Sequence, residues 1–193
     1  DITPLTSLPL TNLNLNKNTI NDLTPLATIT TLASLSFNDN NVADISPLLE
    51  LPLRDLKLAN NPVADSSLLE TFSNLEVLDA RGVGLSDLNS LRSLSNLTDL
   101  SLSNNAISDI TPLSNLTLLE TLSLDANTIS DVSALQGLSS LEQLTLSRNQ
   151  LTNLNSLGSL TKLTRLQLRQ NSIEDVLALS NLNELKILNQ KKN

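Results

Sequence analysis

The chain of 193 residues has no cysteine, methionine, tryptophan, tyrosine or histidine, and its only aromatics are Phe37 and Phe72. Without cysteine there is neither a disulfide nor a thiolate nucleophile, and a zinc site of Cys and His donors is excluded. Without histidine the commonest general base and proton shuttle is missing. No phosphate loop, dinucleotide fingerprint or nucleophile elbow occurs, so neither catalysis, a cofactor nor a metal is expected. No stretch reaches the ~18 uninterrupted apolar residues of a membrane span, so membrane insertion is not expected in this segment. The opening Asp1-Ile2-Thr3-Pro4 lacks the basic start and apolar stretch of a signal peptide. A signal or anchor, if the protein has one, is expected outside this chain.

What is present is leucine and acid. With so few aromatics the core has to be built from Leu, Ile, Val and Ala, and nearly every apolar position is Leu. Acids outnumber bases 20 to 12, for a net charge of −8, which argues against nucleic acid as a partner. The charge is unevenly placed. Residues 1–147 carry 17 acids and five bases, whereas residues 148–193 carry three acids and seven bases.

The leucines recur. Leu10, Leu32, Leu53, Leu75, Leu97, Leu119, Leu141, Leu163 and Leu185 follow one another at 22 residues, with one interval of 21 between Leu32 and Leu53. Taking each as offset 0, apolar residues return at offsets 3, 5, 10, 13, 16 and 19, with Asn at offset 8. Offsets 3 and 5 alternate with polar neighbours, the period-2 pattern of a short strand. Offsets 13, 16 and 19 are three apart, which suits a 3₁₀-like return segment. One such unit cannot bury its own apolar edge. Stacked units bury it for one another and line their strands into a parallel sheet. Strands stack ~4.8 Å apart while the return side is bulkier, so the stack has to curve with the sheet on its concave face.

Two polar columns accompany the leucines. Asn18, Asn40, Asn61, Asn105, Asn127, Asn149, Asn171 and the final Asn193 stand at offset 8, where an amide can satisfy backbone groups at the bend after each strand. They are expected to form a structural ladder. Asp22, Asp44, Asp65, Asp87, Asp109, Asp131 and Asp175 stand at offset 12, with Asn153 in the remaining slot. A stacked carboxylate row could hold calcium or could accept N–H groups at the start of each return segment; capping is the expectation.

The pattern L-x-x-L-x-L-x-x-N-x-I-x-D-I-x-P-L-x-x-L, complete in Leu97–Leu116, resembles a leucine-rich repeat over the whole chain. The 22-residue length, with Asp-Ile-Thr-Pro-Leu at 1–5 and 109–113 and Asp-Ile-Ser-Pro-Leu at 44–48, is similar to the repeats of internalins, surface adhesins and invasins of Gram-positive bacteria. A second class with 22-residue repeats is a cytosolic regulator of a protein phosphatase; the recurrent Pro4, Pro25, Pro47 and Pro112 favour the first. The internalin resemblance implies an α/β solenoid, a leucine-rich-repeat arc with a concave parallel β-sheet and 3₁₀ or irregular segments on the convex face. It also implies export and a protein ligand on the concave face. The expected organisation is a single domain over 1–193, with partial repeat 1–9, eight full repeats over 10–184 and partial repeat 185–193. The helical and immunoglobulin-like caps of internalins are expected outside it. The fourth repeat departs from the pattern, with Ala80 at offset 5 and Val83 in place of the ladder Asn between Gly82 and Gly84, and is expected to disturb the curvature.

Side chains at offsets 2, 4, 6 and 7 are expected to face the concave opening. They are small and polar, with an acidic centre at Asp79, Asp99 and Asp125 beside Arg81, and a cluster of Arg148, Arg165 and Arg169 that could bind carboxylate or phosphate. Both phenylalanines fall on core offsets, leaving the face without aromatics. The internalin resemblance, which this face supports only weakly, implies a non-catalytic protein-interaction module of a bacterial surface or secreted protein, extracellular or at the cell surface, binding another protein such as a host or surface receptor. The alternatives are a cytoplasmic regulatory subunit that binds an enzyme, and a structural spacer arm.

Overall fold

The computed structural model describes residues 1–190; the ladder position Asn193 lies outside the described residues. Nine three-residue strands form one parallel sheet in chain order: β1 (Asn12–Asn14), β2 (Ser34–Ser36), β3 (Asp55–Lys57), β4 (Val77–Asp79), β5 (Asp99–Ser101), β6 (Thr121–Ser123), β7 (Gln143–Thr145), β8 (Arg165–Gln167) and β9 (Ile187–Asn189). Each strand occupies offsets 2 to 4, and equal offsets pair throughout, so the central leucines Leu13, Leu35, Leu56, Leu78, Leu100, Leu122, Leu144, Leu166 and Leu188 make one inward column.

The return segments are all short 3₁₀ helices, such as Thr24–Thr28, Ser46–Leu48 and Thr111–Asn115, and no α-helix occurs among the described residues. Proline fits the first turn of four of them, where its missing N–H leaves no hydrogen bond unmade. The offset-16 leucines Leu26, Leu48, Leu113, Leu135 and Leu157 point back at the sheet and are fully buried. One continuous Leu core runs the length of the arc, with Phe37 and Phe72 inside it. At about 25 cal/mol per Å² of apolar surface, a buried leucine contributes about 1.5–3 kcal/mol, and each one here draws that from its neighbours above and below.

The 21-residue unit keeps its strand in register because the missing residue is taken from the corner leading into the next strand. There Leu53 N donates to Leu51 O at 2.8 Å, whereas full-length units close the corner over three residues, as in Leu75 N to Phe72 O at 3.1 Å. The fourth repeat was expected to disturb the stack, yet β4 pairs with β3 and β5 at the ordinary offsets. The reason lies at offset 7. Every complete unit turns there through a left-handed residue: Lys17, Asp39, Asn60, Asn104, Ala126, Arg148 and Gln170 all have φ between 54° and 60°. Gly82, at φ 64°, makes the same turn, so the irregular repeat changes its side chains and keeps its backbone.

Candidate functional site

The residues flanking each inward leucine, at offsets 2 and 4, project from the concave side, and all but Asp79 are half-buried or exposed. Near the start the face is amide and hydroxyl, from Asn12, Asn14, Ser34 and Ser36. Its middle is charged. Lys57 Nζ lies 3.5 Å from Asp55 Oδ2, and Ser34 Oγ donates to the same oxygen at 3.2 Å, while Asp55 Oδ1 is buried without a partner. Asp79 accepts from Arg81 Nε at 2.7 Å and Nη2 at 2.6 Å, with its side chain only 9% exposed. That carboxylate holds the Arg81 proton more tightly than usual. Partial burial pushes the Asp99 carboxyl upward, Asp79 and Asp55 add to the shift, and Lys57 opposes it. Asp79 and Arg81 therefore satisfy each other, whereas Asp99 is in no ion pair among the described residues.

Asp125, the third member of the acidic centre, is held by the adjacent repeat. Its Oδ1 accepts from Ser147 N at 2.6 Å and its Oδ2 from Thr145 Oγ1 at 2.7 Å. Asn16 and Asn38 make the same bridge, to Asn38 N at 2.6 Å and Ala59 N at 2.8 Å, and Ser103 Oγ accepts from Asp125 N at 3.1 Å. Offset 6 thus carries a second, partial ladder that sequence reasoning took for open face. The available signal was the run of Asn, Ser and Asp, which are short enough to reach the next backbone.

The offset-8 amides make the full ladder. Asn127 Nδ2 donates to Leu124 O and to Leu102 O of the preceding unit, both at 3.1 Å, and its Oδ1 accepts from Ile107 N at 3.0 Å. Asn40, Asn61, Asn105, Asn149 and Asn171 repeat this three-way contact. Asn18, in the first unit, bonds only within its own bend. At offset 12, Asp22, Asp44, Asp87, Asp109, Asp131 and Asp175 each accept the N–H two residues on, at 2.7–2.8 Å. They stand one residue before the helix cap; only Asp65 is itself the cap. Hydrogen bonds from the hydroxyl and then the backbone N–H of Thr24 and of Thr111 lower the Asp22 and Asp109 pKa values, and the backbone N–H and then the hydroxyl of Ser46 lower that of Asp44. Among the described residues no three carboxylates converge on a metal position.

At the far end, Arg148 and Arg169 are brought together: Arg148 N donates to Arg169 O at 2.7 Å, and both side chains are exposed. Arg165 starts β8, four residues before Arg169, so it stands ~13 Å further along the strand. The Gln167 amide oxygen, turned toward it, accepts from Arg165 Nη2 at 2.6 Å and Nε at 2.9 Å. Arg169 Nη2 reaches Asn189 Oδ1 at 3.4 Å. None of the three has a carboxylate within 4.0 Å among the described residues.

This architecture is shared with known proteins. Family profiles described as "Leucine Rich repeats (2 copies)" and "Leucine rich repeat" match residues 95–137 and 131–173. Internalin C2 of Listeria monocytogenes superimposes with a TM-score of 0.91 at 31% identity, over 94% of this chain and 80% of that one. The chain belongs to the internalin family. A second internalin from Listeria monocytogenes, InlF, matches this internalin-family chain at 38% identity and a TM-score of 0.91, over 97% of it and 56% of InlF. The chain thus spans little more than half of that relative. The plant peptide hormone receptor RGFR1, solved in complex with RGF2, shares the fold alone, with a TM-score of 0.75 at 22% identity over 95% of this chain and 32% of the receptor. None of the curated proteins compared with this internalin-family chain matches it. Folds of this type are protein-interaction modules, and among the described residues no helix is long and apolar enough to cross a membrane.

Proposed function

We propose that this chain is the non-catalytic ligand-binding segment of a bacterial surface or secreted protein, and that its ligand, another protein, lies against the concave sheet. One observation carries the reading. The inward leucine is the same in all nine strands, while the two concave-facing positions change from strand to strand, running Asn, Ser, Lys, Asp, Ser, Ser, Thr, Gln, Asn at offset 4. A spacer would need the first property only. A rigid frame that presents a varied polar surface is suited to recognition, because little side-chain or backbone order has to be gained on binding. The kinship with internalins supports placement at the bacterial surface.

A photo-crosslinking residue tests the face. Placed at Gln143 on the concave side, it should trap a protein when the chain is offered to intact host cells, and placed at Asn155 on the convex 3₁₀ side it should not. Equal trapping from both positions, or trapping from the convex side alone, refutes the assignment. Antibody labelling of unpermeabilised bacteria tests the location; signal only after permeabilisation refutes it.

A further inference from the structure

Among the described residues, three of the five cations in the first three quarters of the arc are neutralised in place, Lys17 and Arg92 being the exceptions. Arg54 pairs with Glu76 at 2.9 Å, Lys57 with Asp55 at 3.5 Å and Arg81 with Asp79 at 2.6 Å. The last quarter is the reverse. Arg148, Arg165 and Arg169 have no carboxylate partner among the described residues, in a molecule that carries 20 acids. Arg165 is also held ready. Gln167 takes two of its five N–H donors and fixes the guanidinium plane, leaving the other donors for a carboxylate.

An apolar contact lies beside them. Ile187 pairs with Arg165 across β8 and β9, in the column that faces the concave opening, and is 43% exposed. Its neighbour Leu188 is exposed because its inward column has no further strand beside it among the described residues. Ile187 faces the concave opening, and it too has a strand on one side only among the described residues. The other aliphatic residue at this offset, Val77, lies between Asp55 and Asp99 in register and is half-buried.

Resting on the concave-face reading above, we propose that the sheet from β7 to β9 docks an acidic protein segment running along β8, with carboxylates about 13 Å apart meeting Arg165 and the Arg148–Arg169 pair, and an aliphatic side chain seated on Ile187. In an extended segment that spacing is about four residues, so the chemistry sought is acid, three residues, acid, with an aliphatic residue beside the first. Charge complementarity favours this occupant over a basic one. In the acidic centre Asp79 is closed by Arg81 and Asp125 by Ser147 N and Thr145 Oγ1, which leaves Asp99 alone there, whereas at the Arg end all three guanidinium groups lack a carboxylate among the described residues.

Random dodecapeptides displayed on phage and selected on the immobilised chain test the proposal. Enriched sequences should carry two acids at this spacing with a nearby aliphatic residue. Binding of the selected synthetic peptide should fall more than tenfold in R148E/R165E/R169E and severalfold in Ile187→Asp. It should also weaken as salt rises from about 50 to about 300 mM, where screening shortens the reach of charge. The melting curve reports whether each variant folds, and R165Q/R169Q serves if the reversal does not. Selection of neutral or basic peptides, undiminished binding to the reversed chain, or preference for heparin or DNA over the acidic peptide overturns the proposal. A peptide that survives the Arg reversal but is lost on substitution of Asp99 and Thr121 overturns it while leaving the concave-face reading intact; one indifferent to both sets overturns both.

Discussion

Replacing Asn127 by alanine removes four hydrogen bonds, three donated to the Leu102, Leu124 and Asp125 carbonyls and one accepted from Ile107 N, at a residue that is 8% exposed. The consequences are unequal. Leu102 O keeps a second donor in Asn105 Nδ2 at 2.9 Å, and Leu124 O keeps Asn149 Nδ2 at 2.9 Å. Ile107 N, in a fully buried residue, is left with nothing. A stranded buried N–H costs about 1–3 kcal/mol, and the two weakened carbonyls add about 0.5–1 kcal/mol together, so about 1.5–4 kcal/mol in all. For a domain of this size, that lowers Tm by roughly 3–16 °C. Asn18 provides the internal control. It has the same residue and offset, but is exposed and makes no hydrogen bond to another unit, so Asn18→Ala should cost about 1 kcal/mol or less. Thermal melts followed by circular dichroism, read against urea titrations of the same variants, measure both. Equal losses for the two variants, or an Asn127→Ala melt within a degree of the parent, would refute the stranded-amide account.

Other substitutions probe other parts of the frame. A Cβ on Gly158 would lie 2.7 Å from Ala178 O, a backbone atom that cannot swing aside, so Gly158→Ala should destabilise by about 1–3 kcal/mol in a denaturant titration. Ala126 holds φ 54° where Asn60 and Asn104 make the same turn, and Ala126→Asn should stabilise by about 0.5–1 kcal/mol; a loss would mean that the left-handed turn is not strained. Asp22, Asp44 and Asp109 have folded pKa values below the ordinary 3.8, so their contribution is present above that value and lost as pH falls through the folded one; Asp44→Asn should flatten the acid limb of Tm against pH. Asp99 has the opposite sign, its folded pKa lying above the ordinary value, so Asp99→Asn should raise Tm at pH 7 and lose that advantage as pH falls through the raised pKa.

The fold was legible because its information is repeated. A leucine at offset 3 says little once, but nine of them 21 or 22 residues apart specify a strand, its register and its inward side. The 3₁₀ returns followed from the three-residue spacing of Ile110, Leu113 and Leu116, which matches that helix's turn. The face was less legible because it has no such redundancy. Asp79 and Asp125 looked alike in the sequence, as acids on solvent-facing offsets. One is closed by Arg81 two residues away, the other by Ser147 N and Thr145 of the next unit, and only the three-dimensional spacing of neighbouring strands reveals the second. Arg148 was assigned to the face by counting; its left-handed backbone places it at the turn beyond the strand, beside Arg169 and apart from Arg165.

The corner that absorbs the 21-residue unit bears on how such a chain can change over evolutionary time. Among the described residues the hydrogen bonds between units, Asn38 Nδ2 to Asp79 Oδ2 apart, join adjacent units, and the backbone and offset-8 bonds do so at recurring offsets. Duplicating or deleting a whole unit thus recreates most of the contacts it interrupts, and a shortfall of one residue is taken up at the bend before Leu53. Length is therefore an easily inherited variable. Each unit gained or lost between Asp99 and Arg165 moves the acidic and basic ends of the face by one strand spacing, ~4.8 Å. The array then acts as a ruler with fixed graduations. Selection can match the distance between two features of a ligand by unequal crossing-over alone, before any residue on the face is altered.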